Sequence, residues 1–152
     1  MTLGSRRRLL KTIDVATVRG AIERAERQTS GEIRVSLALF FWGSVRKAAE
    51  RAFDHLGMTA TRDRNAILFF LVPSRRRFIV LGDAGIHAKV GREFWERIAA
   101  AMAGDFRKGA FTEGLVRGIE EAGAQLKAHF PYDAATDRNE LPDDIDFGRR
   151  GR

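Results

Sequence analysis

The chain has 152 residues, of which 44% are hydrophobic, with a formal net charge of +7 and no cysteine. This is one ordinary domain with enough apolar residues for a core, which excludes a compositionally disordered chain. The lack of thiols excludes disulfides, cysteine nucleophiles and thiolate zinc sites, while the positive balance fits phosphorylated molecules, nucleic acid or acidic lipid, and equally fits plain solubility.

Residues 1–12 read as a short basic arm containing Arg6, Arg7 and Arg8. It lacks the apolar run of a signal peptide, and no segment nears the roughly 18–20 apolar residues of a membrane span. The expectation is a soluble, cytoplasmic protein. Residues 13–31 then read as a helix, with Val15, Val18, Ile22 and Ala25 on one face, Asp14 as N-cap and Gly31 as stop. "GEIRVSLALFF" alternates as a strand: Ile33, Val35, Leu37 and Leu39 face one way, and Arg34, Ser36 and Ala38 the other. "GSVRKAAERAFDHLGM" reads as a second helix capped by Ser44. Ala66 to Val72 is an unbroken apolar run closed by Pro73, as expected of a central strand buried on both faces. "RRRFIVLGD" is a third strand, and the short link Pro73-Ser74-Arg75-Arg76 makes the pair an antiparallel hairpin. "AKVGREFWERIAAAM" reads as a helix with Phe94, Ile98 and Met102 inward, and "AGDFRKGAF" as a connector. "TEGLVRGIEEAGAQLKAHF" is a final helix ended by Pro131. In the polar tail, residues 132–152, Leu141, Ile145 and Phe147 are candidate anchors.

A strand–helix–strand unit demands a right-handed crossover and parallel strands. The expected fold is α/β: a single-domain, three-layer helix/sheet/helix sandwich around a small mixed sheet, spanning residues 13–131. This topology sorts the polar residues onto two rims. Glu32, Asp63, Asn65 and Asp83 collect at one, where they are candidate oxygen ligands for calcium or magnesium. As turn residues they have an alternative role, with Asp83 as a helix cap. The opposite rim lies beyond the carboxyl ends of the parallel strands, where ligands of open sheets bind. It offers Trp42, Ser44 at a helix start, and Arg75, Arg76 and Arg77, all suited to a phosphate or partner contact.

Other chemistry finds little support. There is no P-loop and no G-x-S-x-G elbow, and "GDAGIH" lacks the third glycine of a dinucleotide fingerprint. Its glycines read as turn residues that tolerate positive φ. His55, His87 and His129 show no metal spacing and read as surface residues. The basic clusters come without a recognisable nucleic-acid module, which argues against nucleic acid as the partner.

"TSGEIRVSL", "RNAILFFLV", "RFIVLGDAGI" and "FRKGAFTEGLVRGI", in that order, resemble the TPM domain family. Its name derives from thylakoid-lumen and photosystem II repair proteins and a nematode membrane protein. "HFPYDAATDRNELPDDI" resembles the tail of a short bacterial branch. The resemblance implies a helix/sheet/helix sandwich. Some members of the family are called acid phosphatases, some bind calcium or other divalent ions near acidic loops, and others serve as assembly modules in membrane or photosystem complexes. The signal peptide, membrane segment and glycine-rich tail of longer members have no counterpart here. Three functions follow as expectations. The first is a non-catalytic binding or assembly module, with or without a divalent cation, for a protein or membrane-associated partner. The second is a metal-assisted phosphomonoesterase acting on a small phosphorylated molecule. The third is charge-driven nucleic-acid binding.

Overall fold

The computed structural model describes residues 13–133 and 145–146. The basic arm 1–12 and the candidate anchors Leu141 and Phe147 lie outside them. The sheet has three strands in the order β1 (Glu32–Leu37), β2 (Ala66–Val72) and β3 (Arg77–Gly82). β1 and β2 are parallel, with Glu32 opposite Ala66, and β2 and β3 are antiparallel, with Val72 opposite Arg77. Every residue of β2 is buried, because helices cover both faces of the sheet.

Alternation along the strands divides the core in two. On one face Ile33, Val35, Leu37, Ile67, Phe69 and Leu71 pack under α1 (Val15–Glu26), α4 (Arg92–Arg107) and α5 (Phe111–His129). On the other, Leu68, Phe70 and Val72 pack against Val45, Ala49 and Phe53 of α2 (Val45–His55) and against Met58. Burying apolar surface on both sides stabilises the middle strand by roughly 25 cal/mol per Å² removed from water, so substitutions there cost most. Asp14 caps α1 by accepting from the Thr17 amide, and Ser44 caps α2 by accepting from the Lys47 amide.

Three expectations need correction. The helix read from residue 88 onward is two helices. α3 (Ala84–Val90) ends at Gly91, whose φ of +76° breaks the hydrogen-bond ladder, and α4 starts anew. α4 also runs on to Arg107, which shortens the connector to residues 108–110. Leu39 lies beyond the end of β1, half-buried in a loop. The tail's Ile145 is buried in the main core, and its neighbour Asp146 pairs in parallel with Ser36. Leu37 donates to the Asp146 carbonyl at 2.7 Å and Asp146 donates to the Val35 carbonyl at 2.9 Å. This short bridge caps the open edge of β1, as sheet edges require.

Candidate functional site

Strands of six or seven residues set the two rims of the sheet roughly 20 Å apart, and they are built differently. At the acidic rim, Asp83 follows β3 as the cap of the next helix, with its side chain buried. Its oxygens accept from Arg64 Nε at 2.6 Å and Arg64 Nη2 at 2.8 Å, and also from the Ala84 amide that starts α3. The hydrogen bonds and charge of Asp83 hold the Arg64 guanidinium above its ordinary pKa. Asp63 pairs with Arg62 at 3.2 Å. Asn65 is buried and donates from Nδ2 to Ser30 Oγ, and its backbone carbonyl accepts from the Glu32 amide. Glu32 and Asn65 are therefore neighbours, whereas Asp63 and Asp83 each face an arginine. Among the described residues no group of three or more histidine, aspartate or glutamate side chains converges as a metal cage.

The loop "GDAGIH" is part of this rim, and its glycines are not needed for positive φ. They are needed for space. A Cβ on Gly85 would sit 2.0 Å from the Asp63 carbonyl oxygen, and one on Gly82 would sit 2.3 Å from the Trp95 ring. The first amides of α3 are also taken: Gly85 and Ile86 both donate to the Arg64 carbonyl. No donors remain there to cradle a phosphate. His87 is exposed, and its Nδ1 accepts from Trp95 Nε1 at 3.0 Å.

At the basic rim the three consecutive arginines part company. Arg75 turns onto the 41–43 loop, donates to the carbonyls of Phe41 at 3.3 Å and Gly43 at 2.7 Å, and lies 5.2 Å over the Phe41 ring. Arg76 and Arg77 instead line an open groove of about 820 Å³. Its apolar walls come from Ile13, Leu39, Phe40, Phe78, Phe106 and Phe111, and Arg107 adds a third guanidinium. Among the described residues no acidic side chain lines it. Asp105, in the last turn of α4, is committed to Arg117. Trp42 stands outside the groove, 88% exposed, with its ring 4.9 Å from that of Phe40 in a T-shaped contact. Ser44 is occupied as the α2 cap.

The sequence model of the TPM domain matches residues 6–125. The chain belongs to the TPM domain family. Among solved structures, this TPM domain is similar to the NMR structure of BA42 from the psychrophilic bacterium Bizionia argentinensis. The two are 35% identical, with a TM-score of 0.82 over 91% of this chain and 94% of that one. It shares its fold with the N-terminal domain of cg2496 from Corynebacterium glutamicum, at 15% identity and a TM-score of 0.59 over 74% of this chain and 71% of that one. Among curated proteins no match was found. No helix among the described residues is long and apolar enough to cross a membrane.

Sequence reasoning missed Arg107, Phe78, Phe106 and Phe111 as groove residues. Their only signal was an excess of arginine and phenylalanine around "RRRF" and "FRKGAF", which becomes spatial once α4 and α5 are folded beside the hairpin.

Proposed function

We propose that this TPM domain is a non-catalytic docking module whose working surface is the arginine-rimmed groove, and that its partner is anionic and partly apolar. The observation that carries this reading is the groove's composition among the described residues: aromatic and aliphatic walls, three guanidiniums and no carboxylate. Guanidiniums favour phosphate and carboxylate through paired hydrogen bonds, and the phenylalanines favour an apolar tail. Arg76 adds weight, because it holds a left-handed backbone with φ +51°. An ordinary side chain is strained there, and such strain gathers at functional positions. A phosphomonoesterase is less well supported. Its water-activating carboxylates and its free phosphate-holding arginines would lie at opposite ends of the sheet.

The test is a calorimetric titration with dodecyl phosphate below its micellar concentration. Binding by the native protein is expected, falling about a hundredfold when Arg76, Arg77 and Arg107 are all changed to glutamine, since each charged contact contributes about 1.5–3 kcal/mol before neighbouring groups compensate. Equal affinity of the native and triple-variant proteins would overturn the reading.

A second reading places a divalent cation at the acidic rim. It is favoured by Asn65 Oδ1, a buried acceptor with no hydrogen-bond partner, beside the buried Glu32. Hard cations want six to eight oxygens, so these two residues would need backbone and water to complete the shell. A rise in melting temperature with millimolar calcium, lost in Glu32→Gln, is the expected signature. An unchanged melt of the native protein would count against it.

A further inference from the structure

The groove leaves one feature of the basic rim without a role. A soluble ligand lying in the groove has no use for Trp42, which is not among the lining residues and is 88% exposed. Yet Trp42 meets Phe40 edge to face, and Phe40 is 52% exposed and does line the groove. The apolar surface therefore runs out of the groove and over the tip of the 38–44 loop. An occupant that touches all of it must be broader than the groove.

We infer that the basic rim docks on an anionic lipid bilayer. Phe40 and Trp42 enter the boundary between headgroups and acyl chains, and Arg76, Arg77 and Arg107 take headgroup phosphates. The inference rests on the docking reading of the groove and names its partner. Three observations favour a bilayer over a peptide. First, tryptophan has a large apolar body and a single N–H donor, and its chemistry matches the interfacial layer of a membrane. Second, the charge around it is predominantly positive among the described residues, with Glu50 set against Arg46 at 3.9 Å. The groove contributes three guanidiniums, and α2, which follows the Trp42 loop, opens with Arg46 and Lys47 and no acid in its first turn. Basic residues beside an anionic leaflet each strengthen attraction and do not need a fixed sequence in the partner. Third, the aromatic tip is already braced. Arg75 ties the carbonyls of Phe41 and Gly43 to the hairpin, so little conformational freedom is lost on docking. A peptide ligand would need the backbone pairing or closed pockets that give peptides specificity, and an exposed tryptophan outside the groove provides neither.

The experiment is co-sedimentation and intrinsic fluorescence of the full chain with vesicles of phosphatidylcholine alone and of phosphatidylcholine mixed with phosphatidylglycerol. Binding to the mixed vesicles only is expected, weakened by salt and reduced about fivefold for each arginine changed to glutamine. Tryptophan emission should move to the blue on binding, and Trp42→Ala should remove that shift and weaken partition about tenfold. Trp95 is half-buried and hydrogen-bonded to His87, so it should not supply the signal. The exposed position of Trp42 keeps this variant folded, which far-UV circular dichroism checks. Vesicle binding without a blue shift, undiminished in Trp42→Ala, would reduce the contact to charge adsorption and overturn the inference. No binding to mixed vesicles by a protein that still binds dodecyl phosphate would also overturn it, while leaving the groove reading intact. So would preferential binding of an acidic peptide of alternating glutamate and leucine. Loss of both dodecyl phosphate and vesicle binding would remove both proposals.

Discussion

Two arginines share the same left-handed backbone, φ +51° at Arg64 and at Arg76, and they sit at opposite ends of the sheet. Arg64 meets the buried Asp83 in a two-pronged ion pair within its own rim. Arg76 lines an apolar groove that, among the described residues, holds two more guanidiniums and no acid. The strain is the same, but at one end it closes the fold on itself and at the other it presents a charge outward. Asp83 thus serves packing and capping at one rim, while at the other Arg75 braces the 41–43 loop and Arg76 and Arg77 line the groove.

That contrast predicts a separation of effects: acidic-rim changes should alter stability and leave anionic binding alone, and basic-rim changes should do the reverse. Among the rim changes, the largest loss of stability is expected from Gly85→Ala. Its added methyl meets the Asp63 carbonyl, a backbone atom that cannot swing away, so the cost should reach or exceed the upper end of the roughly 1–3 kcal/mol typical of overpacking. Thermal or urea unfolding reads it, and binding of dodecyl phosphate should stay unchanged. Asp83→Ala should come next, with about 1–2 kcal/mol lost from the α3 cap and the buried hydrogen bonds. Arg76→Gly should move the other way: relief of the left-handed strain stabilises by about 1 kcal/mol, while affinity for the anionic probe falls several-fold. Arg64→Gly gains the same relief but loses the Asp83 pair, so its net change in stability should be less favourable.

The smallest effect concerns Asp14, a carboxylate near the basic rim that does structural work. Its hydrogen bonds from Thr17 hold its pKa below the usual range. A depressed folded-state pKa means that the cap's contribution is complete above the unfolded value, about 3.9, and is lost as pH falls through the folded one. Asp14→Asn, which can still cap, should flatten the acid limb of the stability curve slightly without moving its plateau.

The fold was largely legible because it rests on local patterns with a single geometric solution. The uninterrupted Ala66–Val72 run fits only a doubly covered strand, and the helix between β1 and β2 fixes their parallel pairing. From that topology alone the two rims could be populated. What could not be read depends on residues distant in sequence. Gly82 and Gly85 looked like turn glycines because the reasons for them, the Trp95 ring and the Asp63 carbonyl, arrive from other segments. The break at Gly91 was hidden because Phe94, Ile98 and Met102 keep helical spacing on their own. Arg75, Arg76 and Arg77 looked alike until the turn geometry separated a brace from two groove residues. The groove itself draws on the N-terminal approach to α1, the 38–40 loop, the hairpin and the α4–α5 turn, and no window of sequence contains those together.

The account's central claim is that anionic partners bind the basic rim and not the acidic one. The most direct measurement is a two-dimensional amide NMR titration of the full chain with dodecyl phosphate. The predicted result is a set of shifts confined to residues 38–44, 74–78 and 103–111, with Glu32, residues 61–65 and residues 83–86 unmoved. Shifts clustered instead around Glu32, Asn65 and Asp83, with Arg76 and Phe106 silent, would contradict it.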